Sequence, residues 1–134
     1  MKWVIASDIH GSHRYCEKLI NAFEEEKADK MLLLGDLLYH GPRNALPDFY
    51  NTEKVAEYLN NLKDKIVCVR GNCDAEVDQV MLEFPIMATY TIINDGDLMI
   101  FATHGHVYSE YNPPSFLSKG GILLNGHTHI PKCR

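Results

Sequence analysis

Five short apolar runs constrain this chain more than any other feature, because each stops at a residue that offers an oxygen or an imidazole nitrogen. Residues 3–7 lead into Asp8 and His10, 31–34 into Asp36, 66–70 into Asn72, 99–103 into His104, and 122–124 into His127 and His129. Runs of this length, rich in Val, Ile and Leu, read as buried strands. A single histidine at a strand end is commonly an ordinary surface residue. Core packing, however, gives no reason for five separate strands to finish this way. A shared site does: in open α/β sheets it lies beyond the carboxyl ends of the strands, where residues remote in sequence meet.

The segments between these runs alternate with them. Residues 12–27 carry Tyr15, Leu19, Ile20 and Phe23 at helical spacing, and Thr52 or Asn51 can cap a second helix that uses Val55, Ala56, Tyr58, Leu59 and Leu62. Strand and helix thus alternate as far as Arg70, the pattern of a parallel sheet with crossover helices. After Asp74 a short helix is predicted to use Val77, Val80, Met81 and Leu82 as its apolar positions and to end at Pro85. Then the rhythm changes. Residues 86–93 and 98–103 flank Asn94-Asp95-Gly96-Asp97, a hairpin signal in which Asp-Gly supplies the tight turn. At 134 residues, the expectation is a single α/β domain spanning residues 1–134.

Composition narrows the partners. A formal net charge of -5, with no stripe of Lys and Arg, argues against bulk nucleic acid, which is held mainly by phosphate neutralisation. Small anionic substrates remain open, because a bound cation reverses the local sign. The apolar start is too short for a signal-peptide core and no run reaches membrane-spanning length, so no membrane partner is expected. Cys16, Cys68, Cys73 and Cys133 show no CxxC pairing, and reduced thiols in a cytoplasmic protein are the simplest reading.

Asp36 is the centre of the chemistry. A lone carboxylate just past a glycine, at the end of the run Met31-Leu-Leu-Leu34, is costly to bury unless something cationic meets it. Seven oxygen and nitrogen donors are too many for one tetrahedral zinc, and the lack of a sulfur ligand disfavours a structural site. They suit two divalent ions, with Asp36 as the bridging carboxylate. Asp8-x-His10 and His127-x-His129 have a two-residue period, so on an extended strand end both side chains of each pair would project to one side. Arg43 and Arg70 are the cations best suited to grip a phosphate oxygen, with an ion pair to Asp74 or Asp78 as the ordinary alternative. His40 and His106 flank the donors, where substrate contact and a plain loop role are about equally expected.

The ordered blocks Asp8-x-His10, Gly35-Asp36, Gly71-Asn72-Cys73-Asp74, His104-Gly105-His106 and Gly126-His127-Thr128-His129 resemble the calcineurin-like metallophosphoesterases, in particular their small prokaryotic phosphodiesterases. Residues 35–47 and 70–79 look like the YfcE type of bacterial phosphodiesterase. The resemblance implies a four-layer α/β/β/α sandwich and two divalent metal ions, manganese first, with iron, zinc or nickel as alternatives. Carried over by position, Asp8, His10, Asp36 and His129 would hold one ion, and Asp36, Asn72, His104 and His127 the other. A hydroxide bridging the two would attack the phosphorus of a small phosphodiester, so no protein nucleophile is required. Cys73, Arg43 and His106 are the candidate substrate contacts.

Two departures from the wider family carry information. Where many phosphomonoesterases of this kind have a histidine, this sequence has Cys73, a poor proton donor at a reference pKa of about 8.5, which favours diesters over monoesters. The family also continues past the Gly-His-x-His block with further strands. A sequence stopping at Arg134 is therefore expected to leave the second sheet incomplete, with open edges that could pair into a homo-oligomer. Two other functions share these motifs: a phosphomonoesterase, and a non-catalytic interaction scaffold in which the position of His10 is weakened. His10 is kept here, which favours an enzyme.

Overall fold

The computed structural model describes residues 1–133. Its first half is the expected alternation: β1 (Trp3–Ala6), α1 (His13–Glu25), β2 (Lys30–Leu33), α2 (Thr52–Asn60) and β3 (Ile66–Cys68). The three strands form a parallel sheet in the order β1-β2-β3. Ser12 caps α1 by accepting from the Tyr15 N–H, and the Asn51 side chain, rather than Thr52, caps α2 by accepting from the Lys54 N–H at 3.1 Å.

A strand exposes alternate residues to opposite faces, and here the two faces have different partners. Met31, Leu33, Ile66 and Cys68 pack with Cys16, Phe23, Val55 and Leu59 from the helices. Leu32, Leu34 and Val69 pack instead against Ala102, Ile93 and Leu124 of a second sheet. That sheet contains β4 (Tyr90–Asp95), β5 (Leu98–Thr103) and β6 (Ile122–Leu124), with β5 in the middle, antiparallel to β4 and parallel to β6. The result is helices on a sheet on a sheet, a mixed α/β sandwich. No helix follows α3 (Glu76–Met81) among the described residues. Because β2 is buried from both sides, removing the Leu33 side chain would cost about 2–5 kcal/mol.

Three local expectations are corrected. In α3, Val77 and Val80 point outward, at 67% and 85% exposure. The chain reversal beyond the helix is organised instead by Gln79, whose side chain donates to the carbonyls of Leu82 and Phe84 and accepts from the Ile86 N–H. That leaves the i, i+3 pair Val77 and Val80 on the opposite side. Residues 86–89 lie outside the hairpin: β4 begins at Tyr90, and the Ala88 carbonyl accepts from the Arg70 N–H at 2.7 Å. In the turn, Asp95 pairs with Leu98, so the two-residue loop is Gly96-Asp97, and only Gly96 has positive φ, at 59°.

Candidate metal centre

The loops after β1 and β2 run side by side, as though the sheet continued past its last strand residues. Asp8 N–H donates to the Gly35 carbonyl (3.0 Å), His10 N–H to Asp36 (2.9 Å) and Gly11 N–H to Leu37 (2.9 Å). Their backbone is nevertheless not extended. Asp8, His10, Asp36, His127 and His129 all have φ between 49° and 74°. The expectation that the Asp-x-His and His-x-His pairs project from extended strand ends is therefore overturned. A left-handed residue turns the side chain of each pair inward, at a cost of roughly 1–2 kcal/mol for each non-glycine residue.

These turns bring together all seven predicted donors. Asp36 places one carboxylate oxygen under the Cys73 N–H at 2.8 Å and aims the other at His104 Nε2 (3.1 Å) and His10 Nε2 (3.6 Å). Asp8 Oδ1 faces His129 Nε2 at 3.1 Å, and its second oxygen accepts from the His127 N–H at 2.9 Å. His104 Nε2 lies 2.9 Å from Asn72 Oδ1 and 3.1 Å from His127 Nδ1, while His10 Nε2 lies 3.2 Å from His129 Nε2. Two groups, Asp8 with His10 and His129, and Asp36 with His104 and His127, each gather donor atoms within 4.8 Å of one another.

Carbonyls behind the rings fix the protons. His104 Nδ1 meets the Leu34 carbonyl at 2.7 Å and His10 Nδ1 meets the Tyr39 carbonyl at 2.7 Å. A carbonyl only accepts, so both Nδ1 atoms carry hydrogen, and in the neutral ring each Nε2 presents a lone pair to the other donors. Even a protonated ring has one Nε2 hydrogen, which cannot satisfy the three acceptors around His104. The donor set therefore fits divalent cations by its own chemistry: lone pairs converge where only a positive charge relieves them.

Electrostatics agree. Burial alone would raise the Asp36 carboxyl, but the His104 hydrogen bond and the Cys73 N–H outweigh it and hold the group below the usual carboxylate range. Asp8 is likewise lowered, against its burial, by His10, Ser7 and the His127 N–H. His10 is raised by its bond to Asp8, and His104 is raised because Asp36 overcomes the effect of burial. Burial, with the Asp36 charge beside it, pushes the Cys73 thiol up to about 11, so the sulfur is neutral near pH 7.

Asp74, part of the Gly71-Asn72-Cys73-Asp74 block and an ion-pair candidate in the sequence, was given no role in the site there. At 3% exposure its carboxylate accepts from the N–H groups of Asp36 (2.9 Å), Leu37 (3.0 Å) and Gly71 (2.7 Å). It thus ties the two donor-bearing turns together. Arg70 forms no ion pair with it; its Nε donates to the Asp74 backbone carbonyl at 3.0 Å. Arg70 lines a polar cleft with Asn72, Thr89 and His106. Cys73 lines a second, apolar cleft. Arg43 lies exposed on the 39–50 loop and lines neither.

Two stacked sheets with this cluster at the strand ends define a phosphoesterase of the calcineurin-like kind. The chain belongs to that family: the calcineurin-like phosphoesterase superfamily domain matches residues 1–134. Among individual proteins it is similar to phosphodiesterase YfcE of Escherichia coli K12 and of the O6:H1 strain CFT073, at 47% identity over 131 residues, which is 98% of this chain and 71% of theirs. The solved structure of the E. coli phosphoesterase YfcE superposes with a TM-score of 0.95 at 46% identity, again over 98% of this chain and 71% of that one. An archaeal phosphodiesterase structure matches with a TM-score of 0.55 and 27% identity over 79% of this chain and 60% of its own.

Proposed function

We propose that this chain hydrolyses phosphodiester bonds with two divalent metal ions, manganese first among them. Asp8, His10, Asp36 and His129 would hold one ion, and Asp36, Asn72, His104 and His127 the other, with Asp36 shared. The observation that carries the reading is the paired arrangement of His10 and His104, each clamped by a carbonyl so that its free Nε2 faces the same Asp36 oxygen. Bound there, the ions supply Lewis acidity toward the phosphoryl oxygens and bring water toward ionisation near neutral pH.

The chain's own residues do the rest. The carbonyls of Leu34 and Tyr39 hold the imidazoles in the ligating tautomer, and Asp74 keeps the turns at 36 and 71 in register. Arg70 presents a permanent positive charge to the polar cleft beside Asn72, suited to a non-bridging phosphate oxygen or a polar ester arm. A neutral Cys73 thiol donates no proton readily to a leaving group, which supports diesters with good leaving groups over monoesters. Similarity to the named phosphodiesterases points the same way. No helix of the described residues is long and apolar enough to cross a membrane, and the four cysteines are free, in keeping with a cytoplasmic setting.

The test is turnover of bis(p-nitrophenyl) phosphate with added manganese, alongside direct metal titration. Diester hydrolysis that is lost on chelation and in Asp36→Asn is expected. A folded protein that binds metal but hydrolyses only monoesters, or nothing, would refute the reading.

A further inference from the structure

The Asn72-Cys73 turn divides two clefts of opposite character. Asn72 faces the polar one with Arg70 and His106, whereas Cys73 opens the other, of about 240 Å³, whose wall is built from Leu38, Tyr39, Tyr50, Val77 and Met81. The apolar cleft begins at the donors themselves: Cys73 Sγ lies within 4.8 Å of the ligating atoms of His10 and Asp36. Tyr39, which lines the cleft, is the residue whose carbonyl clamps His10. The mouth of the cleft therefore adjoins the donors.

Its size and chemistry select what enters. An apolar cavity of about 150 Å³ accepts a benzene ring, so this cleft of about 240 Å³ has room for one substituted ring. Two tyrosines, a methionine and a valine offer ring edges and polarisable surface. The single carboxylate in the wall, Asp78, accepts from the Ala75 N–H at 3.1 Å and opposes any anionic group. Val77, 67% exposed on α3, lines this surface.

Resting on the phosphodiesterase reading, we propose that the cleft between the 38–50 loop and α3 is the subsite for one uncharged aromatic arm of the diester. The substrate class is then aryl or similarly flat, neutral esters, and Val77, Met81 and Tyr50 determine specificity. Diesters whose arms carry further phosphates or carboxylates are disfavoured by Asp78.

Two probes with P–C bonds in place of the ester bonds test it. Manganese-loaded protein should bind diphenylphosphinate about tenfold more tightly than dimethylphosphinate in calorimetry, from the apolar area a ring buries. Val77→Asn, an uncharged polar change at an exposed position, should remove most of that preference and leave dimethylphosphinate unaffected. Asp78→Asn keeps the acceptor for Ala75 and should tighten binding of bis(4-carboxyphenyl)phosphinate several-fold, by loss of a like charge. Phenol added to protein without metal should shift the methyl resonances of Met81 and Val77. Equal affinity for the two probes, or phenol shifts elsewhere only, overturns the subsite. Turnover of bis(p-nitrophenyl) phosphate on the same samples separates the two ideas, since its absence refutes diester hydrolysis while ring binding still decides the cleft.

Discussion

The carboxylate of Asp74 reaches the backbone of Asp36 from across the site, accepting the Asp36 N–H at 2.9 Å with one oxygen and the Leu37 N–H at 3.0 Å with the other. The first oxygen also takes the Gly71 N–H at 2.7 Å. Three donors converge on an acceptor-only group, so Asp74→Asn would turn an NH2 toward an N–H. The expected outcome is a loss of about 1–3 kcal/mol of stability from unsatisfied buried groups. Metal affinity should fall about 10–100-fold, because the donor-bearing turns lose their tie. Thermal melts and a manganese titration check both.

Asp36 itself is expected to behave differently. Its Oδ2 faces both His10 and His104, and its Oδ1 holds the Cys73 N–H. Asp36→Asn keeps an oxygen for Cys73 but removes the charge that the histidines meet. Bound metal should drop from two ions to one or none and diester turnover should fall at least about 1,000-fold, a barrier increase of about 4 kcal/mol. Without metal, the variant should lose far less stability than Asp74→Asn. Metal analysis after dialysis gives the stoichiometry, and a chelated melt gives the comparison.

The pH dependence of stability should reverse sign with metal. In the metal-free chain His10 and His104 are raised, so their contribution is fully present below about pH 6.5 and is lost as pH rises through the folded-state values. Asp8 and Asp36 are lowered, so theirs is present above about pH 4 and lost as pH falls through the folded-state values. In chelator, melting temperature should therefore fall from pH 6 toward pH 8.5. With manganese it should rise over the same interval, because cations displace the protons. Parallel slopes in the two series would contradict the donor assignment.

The chemistry was legible in the sequence because it sits at the ends of apolar runs, where periodicity announces a strand and the next polar residue stands out. Asp8, His10, Asp36, Asn72, His104, His127 and His129 meet on that account. Asp74 was not legible, since a carboxylate two residues past Asn72 looks like an ordinary turn former until the N–H groups of the 36–37 turn are seen facing it. Nor were the left-handed conformations of Asp8, His10, Asp36, His127 and His129, because no glycine marks those positions. Tertiary hydrogen bonds impose them. Val77 and Val80 were misplaced for a related reason: in a six-residue helix the turn anchored by Gln79 outweighs the apolar pattern.

Two glycine substitutions separate collision from conformational strain. Gly96 has φ of 59° with nothing within 4 Å of where a Cβ would stand, so Gly96→Ala meets only the left-handed backbone penalty, about 1–2 kcal/mol. Gly71 has no such φ, but its Cβ would overlap Asp36 Oδ1 and crowd the Asp36 backbone nitrogen. Gly71→Ala should cost a similar amount, about 1–3 kcal/mol, through overpacking. Only the second pushes on the carboxylate that His10 and His104 face. The two variants should melt alike, while manganese affinity and diester turnover fall at least about tenfold in Gly71→Ala and stay at the parental level in Gly96→Ala. Equal losses of metal binding would mean that general destabilisation, and not displacement of Asp36, governs the site.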